Sequence, residues 1–466
     1  MRGWLCCLGL IGFMQMAVAA WPVPVVKALK KAGVPRSSVA IFVQAVDGRR
    51  PLLSVNGDQP MHPASVMKLV TTYAALDILK PNFRWRTEVY RDAVIEAGVL
   101  KGNLIIKGYG DPSFNEDDFR RLLLGLRQQG LYRIEGDLVI DKRYFASSVE
   151  HGQVFDHALW RAYNALPSAF LVNGRHTSFK FSVNKGAVDV VPEVVLPEVK
   201  VVNKMTLAKG GCGRWRDRLH YDVRATKMGA VVTFTGAFSP RCAQRYLELS
   251  LFDDVHYAFF TFRKLWRELG GVFDGQVRIE AELPLQVVKL AEQYSKPLAD
   301  VVRDVNKWSN NVMARQVLLT IAAEDGAKPA DEVHGTQAIQ SWLLAKGGRA
   351  NQWVIENGSG LSRIERVTAN RLGQLLVDAY RSPTMSELMS SLPILGLDGT
   401  LQQRLVGTPV TAHLKTGSID GVSAIAGYVL DARQVRYVVV MMVNDAKAPA
   451  SREAQDALIR WVYDHH

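Results

Sequence analysis

Ser65 and Lys68 stand three positions apart in MHPASVMKLV, residues 61–70. On a helix, positions i and i+3 share a face, so the hydroxyl and the amine can touch. A serine hydroxyl is a poor nucleophile until a base takes its proton. Lysine serves as that base only when burial or a neighbouring cation lowers its pKa. The flanks MHPA and LVTTYAAL are largely apolar and would bury the pair, and a buried lysine with no task is rare. The Ser65 amide, where the chain enters the helix, is placed to stabilise an oxyanion. Two further stretches carry compatible groups. KWSNN offers Ser309 and Asn311 in a polar break between two helical patterns, where an ordinary turn is the bland reading. LKTGS places Lys415, Thr416, Gly417 and Ser418 on a strand-like run. Gly417 leaves a strand face without a side chain, so another backbone can approach. Lys415 beside it is a fixed cation suited to a substrate carboxylate. Each stretch alone is unremarkable; the three in this order point to nucleophilic catalysis by serine.

These residues need a scaffold, and the two ends of the chain supply its pattern. VVKALKKAG reads as a helix stopped at Gly33. The run from Ser38 to Asn56 holds two apolar segments joined by Asp47-Gly48, a hairpin signal. Near the C-terminus, AHLKTGS, VSAIAGYVLD and VRYVVVMMV read as three strands separated by Asp420-Gly421 and DARQ. A closing amphipathic helix follows, with Ser451 as its expected N-cap. Both ends thus offer antiparallel strands flanked by a helix, and they can share one sheet. Helical patterns run from Ser65 to Leu79, Pro297 to Lys307, Val312 to Glu324 and Asp331 to Lys346. Between the first two, from about Arg86 to Glu282, the texture changes to strand-like runs with few helices, such as DDFRRLLLGLRQQG. That stretch reads as an inserted β-rich module.

At 466 residues, two or three domains are expected. A hydrophobic fraction of 48% and a charged fraction of 22% belong to a soluble globular chain. The first twenty residues differ: Arg2, an apolar stretch from Trp4 to Val18 and small residues at Ala17 to Ala20 read as a secretory signal peptide. An uncleaved anchor is the alternative, but the segment is short for a membrane span. Export to the periplasm is therefore expected, with no transmembrane segment in the mature form. Cys6 and Cys7 leave with the signal. Cys212 and Cys242 remain, an even pair in an oxidising compartment, which suggests one disulfide; two buried free thiols are the alternative. No Cys/His spacing suits a metal. The formal charge of +12 suits an anionic cell-wall or membrane-surface environment. Export and the absence of an arginine-rich run argue against nucleic acid.

S-x-x-K, S-x-N and K-T-G, in this order, are the motif set of the penicillin-recognising serine enzymes. More closely, the sequence resembles the D-alanyl-D-alanine carboxypeptidase/endopeptidase family of low-molecular-mass class C penicillin-binding proteins, the penicillin-binding protein 4 type. Further matching stretches are PASVMKLVTTYAAL, GVLKGNLIIKGYGDPSF, IEGDLVIDKRYF, ENGSGLSR and LDGTLQQRL. The long interval from Lys68 to Ser309 favours this family over a compact serine β-lactamase. The resemblance implies an α/β (α+β) fold: a β-lactamase-like domain with a central antiparallel sheet flanked by helices. Residues 21–85 and 285–466 would form it, interrupted by a β-rich insert at 86–284 of two subdomains.

It further implies a serine-type D-Ala-D-Ala carboxypeptidase, extending to DD-endopeptidase, that cleaves peptidoglycan stem peptides and binds β-lactam antibiotics covalently. Ser65 is then the nucleophile and Lys68 the base. Ser309 relays a proton to the leaving amine, and Asn311 holds the substrate amide. Lys415 and Thr416 hold the terminal carboxylate, and the amides of Ser65 and Ser418 form the oxyanion hole. No metal or cofactor is called for, and nothing sets an oligomeric state. Two departures stand out: Asn310 replaces the Asp many relatives carry, and QVFDHALWRAYNALPSAF only loosely matches the family's segment facing the site. GSGLS, residues 358–362, is expected at the rim of the site. A serine β-lactamase and a catalytically silent wall-binding scaffold are the alternatives. The insert argues against the first and the intact motifs against the second.

Overall fold

The computed structural model describes residues 21–146, 155–156, 158–279, 286–349 and 352–464. The expected signal peptide and the junction near 284–285 lie outside them. The central sheet is five-stranded and antiparallel, in the order Leu53–Val55, Val39–Ala45, Arg436–Asn444, Val422–Leu430, Thr411–Ile419. Residues from the two ends of the chain pair directly, Phe42 opposite Val440. The central strands are buried on both faces, which is why they read as continuous apolar runs. Val39, Ile41, Val439 and Met441 face the terminal helices Val23–Ala32 and Arg452–Asp464. Ala40, Phe42, Val440 and Met442 face a layer that includes Lys68–Ile78, Leu298–Trp308, Asn311–Glu324 and Ala369–Tyr380.

Local signals act mostly as the sequence suggests. Ile419 pairs with Val422, so Asp420-Gly421 is a tight connection, with Gly421 at φ 76°. Asp47-Gly48 is not the centre of a tight hairpin: Val43 pairs with Leu53, leaving a longer loop. Ser451 is not an N-cap. It closes a 3₁₀ turn at Ala448–Ser451, and its hydroxyl donates to the Ala448 carbonyl at 2.7 Å.

The intervening chain builds a second core. A mixed sheet runs Val277–Ile279, Leu138–Asp141, Leu104–Gly108, Arg86–Arg91, Val288–Tyr294. The helix Glu116–Gln128 crosses between the parallel pair Leu104–Gly108 and Leu138–Asp141. It starts at an Asn115 cap whose side chain accepts from Asp117 and Asp118 amides. A second helix, Asp254–Glu268, two three-stranded sheets and a small four-stranded sheet of two-residue strands complete this half among the described residues. Their shared core is aromatic, with Phe119, Phe179, Phe181, Phe234, Phe262 and Trp266 buried. Cys212 and Cys242 are disulfide-bonded there, Cα atoms 4.6 Å apart. The insert docks on the helix Asn311–Glu324 through buried Gln316, which donates to Gly110 O at 3.2 Å and accepts from the Ser168 amide at 2.8 Å. On the same side, Tyr163 of the intervening chain reaches Asn311. Among the described residues no helix is long and apolar enough to cross a membrane.

Candidate active site

Ser65 lies in a 3₁₀ turn, Ala64–Met67, that runs straight into the helix beginning at Lys68. Lys68 is fully buried, and its Nζ lies 3.0 Å from Ser65 Oγ, 2.6 Å from Asn311 Oδ1 and 2.5 Å from the Ser359 carbonyl. An ammonium fills all three with N–H donors. A neutral amine has only two donors and one lone pair. The two carbonyl-type oxygens can only accept, so the lone pair falls to Ser65, whose hydroxyl then donates to it. Both forms fit this site, and in the free base the lone pair faces Ser65 alone. Burial drives the Lys68 pKa well below the usual lysine range, and the nearby Lys415 charge pushes it further, against an opposing pull from Glu365.

Ser309 terminates the helix Leu298–Trp308 in the left-handed conformation, φ 58° and ψ 38°. A non-glycine residue held there stores strain, a common feature of functional sites. Its hydroxyl accepts from Lys415 Nζ at 2.8 Å. Asn310 caps the next helix, accepting from the Met313 amide at 3.0 Å. Asn and Asp cap equally well, which accounts for the departure at this position.

Lys415 is fully buried on the strand Thr411–Ile419 and also donates to Thr416 O at 2.8 Å. Burial lowers its pKa to about 7. Among the described residues no carboxylate pairs with it, so an incoming carboxylate would be its first counter-charge. Thr416 Oγ1 lies 2.8 Å from Thr400 Oγ1, and Ser418 is exposed. Gly417 permits the close approach that its type suggests. A Cβ there would meet Pro63 O at 2.6 Å and the Ser65 and Val66 amides at 3.0 Å. Seven of the eight motif residues are therefore linked in one constellation, and Ser418 adjoins it as the next residue on the strand after Gly417. A segment of the insert closes it on one side: Tyr163 O accepts from Asn311 Nδ2 at 3.4 Å, and Arg363 stacks over Phe155 with its guanidinium 3.9 Å from the ring centre.

The glycine loop is a correction. GSGLS is not at the rim: Gly358, Ser359, Gly360 and Ser362 are buried beneath the Ser65 turn. A Cβ on Gly360 would lie 1.9 Å from Ala64 O and 2.7 Å from the Ser65 amide. Two further residues here carry no sequence motif. His62 bridges the Ala64–Met67 turn to this loop, its Nδ1 accepting from the Ala64 amide and its Nε2–H donating to Ser362 O, both at 2.9 Å. That pattern requires the neutral ring, and burial lowers its pKa to about 4. Ala64 itself sits at φ 46°, a conformation this bridge helps to hold. Glu365, also fully buried, accepts from three amides of the same loop. A buried acid beside a glycine-rich stretch is its only sequence trace. Among the described residues no group of three or more His, Cys, Asp or Glu is placed to hold a metal ion.

Residues 24–464 match the model of the D-Ala-D-Ala carboxypeptidase 3 (S13) family. The chain belongs to this family. It is a serine-type D-Ala-D-Ala carboxypeptidase, built on the penicillin-binding-protein fold. Among its relatives, the D-alanyl-D-alanine carboxypeptidase DacB of Haemophilus influenzae is 27% identical over 421 residues, covering 88% of this chain and 85% of the relative. The D-alanyl-D-alanine carboxypeptidase of Actinomadura sp. is 25% identical, covering 90% and 80%. The crystal structure of penicillin binding protein 4 from Haemophilus influenzae superposes with a TM-score of 0.76 at 26% identity, covering 95% of this chain and all of the other. That protein has also been solved with a β-lactam bound.

Proposed function

We propose that the enzyme removes the terminal D-alanine from peptidoglycan stem peptides through an acyl-enzyme on Ser65. The Lys68 arrangement carries this reading, because its hydrogen bonds leave a lone pair for one group only, the Ser65 hydroxyl. As Ser65 Oγ attacks the penultimate carbonyl, its proton passes to Lys68 Nζ. The oxyanion sits between the amides of Ser65 and Ser418. Asn311 Nδ2 donates to the substrate amide, and Ser309 passes a proton to the leaving amine, helped by its bond to Lys415. Lys415 and Thr416 hold the terminal carboxylate; a buried cation without a counter-charge is costly, and the substrate supplies one. Water then attacks the ester and frees Ser65.

A β-lactam presents the same amide and carboxylate, and the β-lactam complex of the Haemophilus relative supports β-lactam binding here too, with the ring amide open to the same attack by Ser65. Cross-linked stems join through a D-amino-acid amide of the same kind, so DD-endopeptidase activity belongs to the same reading. The substrate and the amino-terminal sequence pattern together support a periplasmic location. The test is release of D-alanine from a purified pentapeptide ending in D-Ala-D-Ala, with a cross-linked dimer assayed in parallel. Release that is abolished in Ser65→Ala supports the reading. Undiminished release in that variant, or none from the wild type, refutes it. Fluorescent penicillin should be held stably; rapid hydrolysis would indicate a β-lactamase instead.

A further inference from the structure

Glu365 lies behind the catalytic lysine, on the loop that supplies one of its hydrogen-bond acceptors. Its side chain is fully buried. Oε1 accepts from the amides of Glu356, Asn357 and Gly358, each at 3.2 Å, while Oε2 is buried without a partner. Successive amides turned toward one point form an anion-binding concavity, and here a carboxylate of the same chain fills it. Burying a carboxylate is expensive unless it is compensated. No lysine or arginine forms an ion pair with it among the described residues. Arg363 and Arg366, the cations on its own loop, point elsewhere: Arg363 over Phe155, Arg366 toward the carbonyls of Arg363 and Glu365. A neutral residue would have been cheaper if filling space were the only purpose.

The gathered amides belong to the ribbon that continues into Ser359. Gly358 O accepts from Thr71 Oγ1 at 2.7 Å, and Ser359 O accepts from Lys68 Nζ at 2.5 Å. Rotation of these peptide units would turn the Ser359 carbonyl away from Lys68 and free an N–H that the free-base arrangement commits. Within the reading of Lys68 as base, we propose that Glu365 is a positioning residue: its carboxylate gathers amides 356–358 and so aims the Ser359 carbonyl at Lys68.

A second consequence is electrostatic. Lys68 lies in the field of two buried groups of opposite effect, Lys415 from the sheet and Glu365 from the loop. Lys415 favours the free base and Glu365 favours the ammonium. Burial raises the Glu365 pKa to about 7, against the three N–H bonds and the Lys68 charge. The other titratable group facing this loop, His62 on the nucleophile turn, is neutral through its bridge to Ser362.

The experiment measures the second-order rate of β-lactam acylation from pH 5 to 9 in the full chain. Glu365→Gln keeps the shape and an acceptor oxygen but removes the charge. Glu365→Ala removes both. In Glu365→Gln, the negative charge that Glu365 carries above about pH 7 is lost, which lowers the Lys68 pKa, so the part of the acidic limb above pH 7 moves to lower pH. In Glu365→Ala, the released carbonyl lowers the rate at every pH; a displacement of about 1 Å at a reacting group costs on the order of a hundredfold. Lys68→Met, run alongside, separates this proposal from the reading it rests on. Wild-type acylation there defeats Lys68 as base. With acylation lost there, wild-type acylation at every pH in Glu365→Ala, or an alkaline-shifted limb in Glu365→Gln, overturns the role of Glu365. Should Glu365→Ala not fold, the Glu365→Gln limb still decides the matter.

Discussion

Replacing Lys415 with alanine should discriminate between substrates rather than simply silence the enzyme. Lys415 is fully buried, reaches Ser309 Oγ and Thr416 O at 2.8 Å each, and meets no carboxylate among the described residues. A substrate carboxylate would therefore make a desolvated, charge-assisted bond with it. Such a bond is worth about 1.5–3 kcal/mol, or roughly ten- to a hundredfold in kcat/KM. The assay compares a peptide ending in D-Ala-D-Ala with the same peptide carrying a C-terminal amide or ester. Lys415→Ala should lose that factor for the free acid and far less for the capped peptide. A coupled effect has a separate sign. Lys415 helps to hold the Lys68 pKa down, so its loss raises that pKa and moves the acidic limb of both profiles to higher pH. In the wild type, discrimination should also weaken above the Lys415 pKa of about 7, where the free enzyme's cation is lost. Equal losses for both substrates with no pH movement would refute the anchoring and the electrostatic roles together.

Three other outcomes follow from the same geometry. Gly417→Ala would press a methyl against Pro63 O at 2.6 Å and two amides at 3.0 Å, backbone atoms that cannot swing aside. The turn carrying Ser65 must shift at a cost of about 1–3 kcal/mol, and wild-type acylation with an unchanged Tm would contradict this. Non-reducing peptide mapping should recover Cys212 linked to Cys242. Replacing both with serine should destabilise the insert by about 3 kcal/mol yet leave acylation intact in the folded fraction; loss of acylation there would tie the link to catalysis. His62 is neutral in the fold with a pKa of about 4 against 6.5 in the unfolded chain. Its contribution is fully present above pH 6.5 and is lost as pH falls toward 4. The stability difference between wild type and His62→Gln should shrink by about 3 kcal/mol over that window, and a pH-independent difference would overturn the bridge.

The motif residues were legible because side-chain chemistry and local pattern coincide. A lysine three residues after a serine inside an apolar run, and a lysine followed by a glycine on a strand, are both odd enough to need a task. The shared sheet was legible for a similar reason, since Val39–Ala45 and Arg436–Asn444 are apolar on both faces. What stayed hidden depends on backbone groups and distant partners. The Ser359 carbonyl that binds Lys68 is chemically identical to every other carbonyl in the chain. His62 and Glu365 act on amides two to nine positions away in a fold whose loops the sequence does not position. The helix Asp254–Glu268 was not picked out because its buried face is so aromatic that VHYAFFTF reads equally well as a strand. Ser451 has the residue type of an N-cap, but the preceding Ala448–Ser451 turn spends its hydroxyl on a carbonyl.

Acylation of Ser65 is the central claim, and mass spectrometry of the intact and digested protein after exposure to benzylpenicillin tests it most directly. The account predicts one adduct per chain, on the peptide that contains Ser65, and none in Ser65→Ala. An adduct on Ser309 or any other residue, or undiminished labelling of Ser65→Ala, would contradict it.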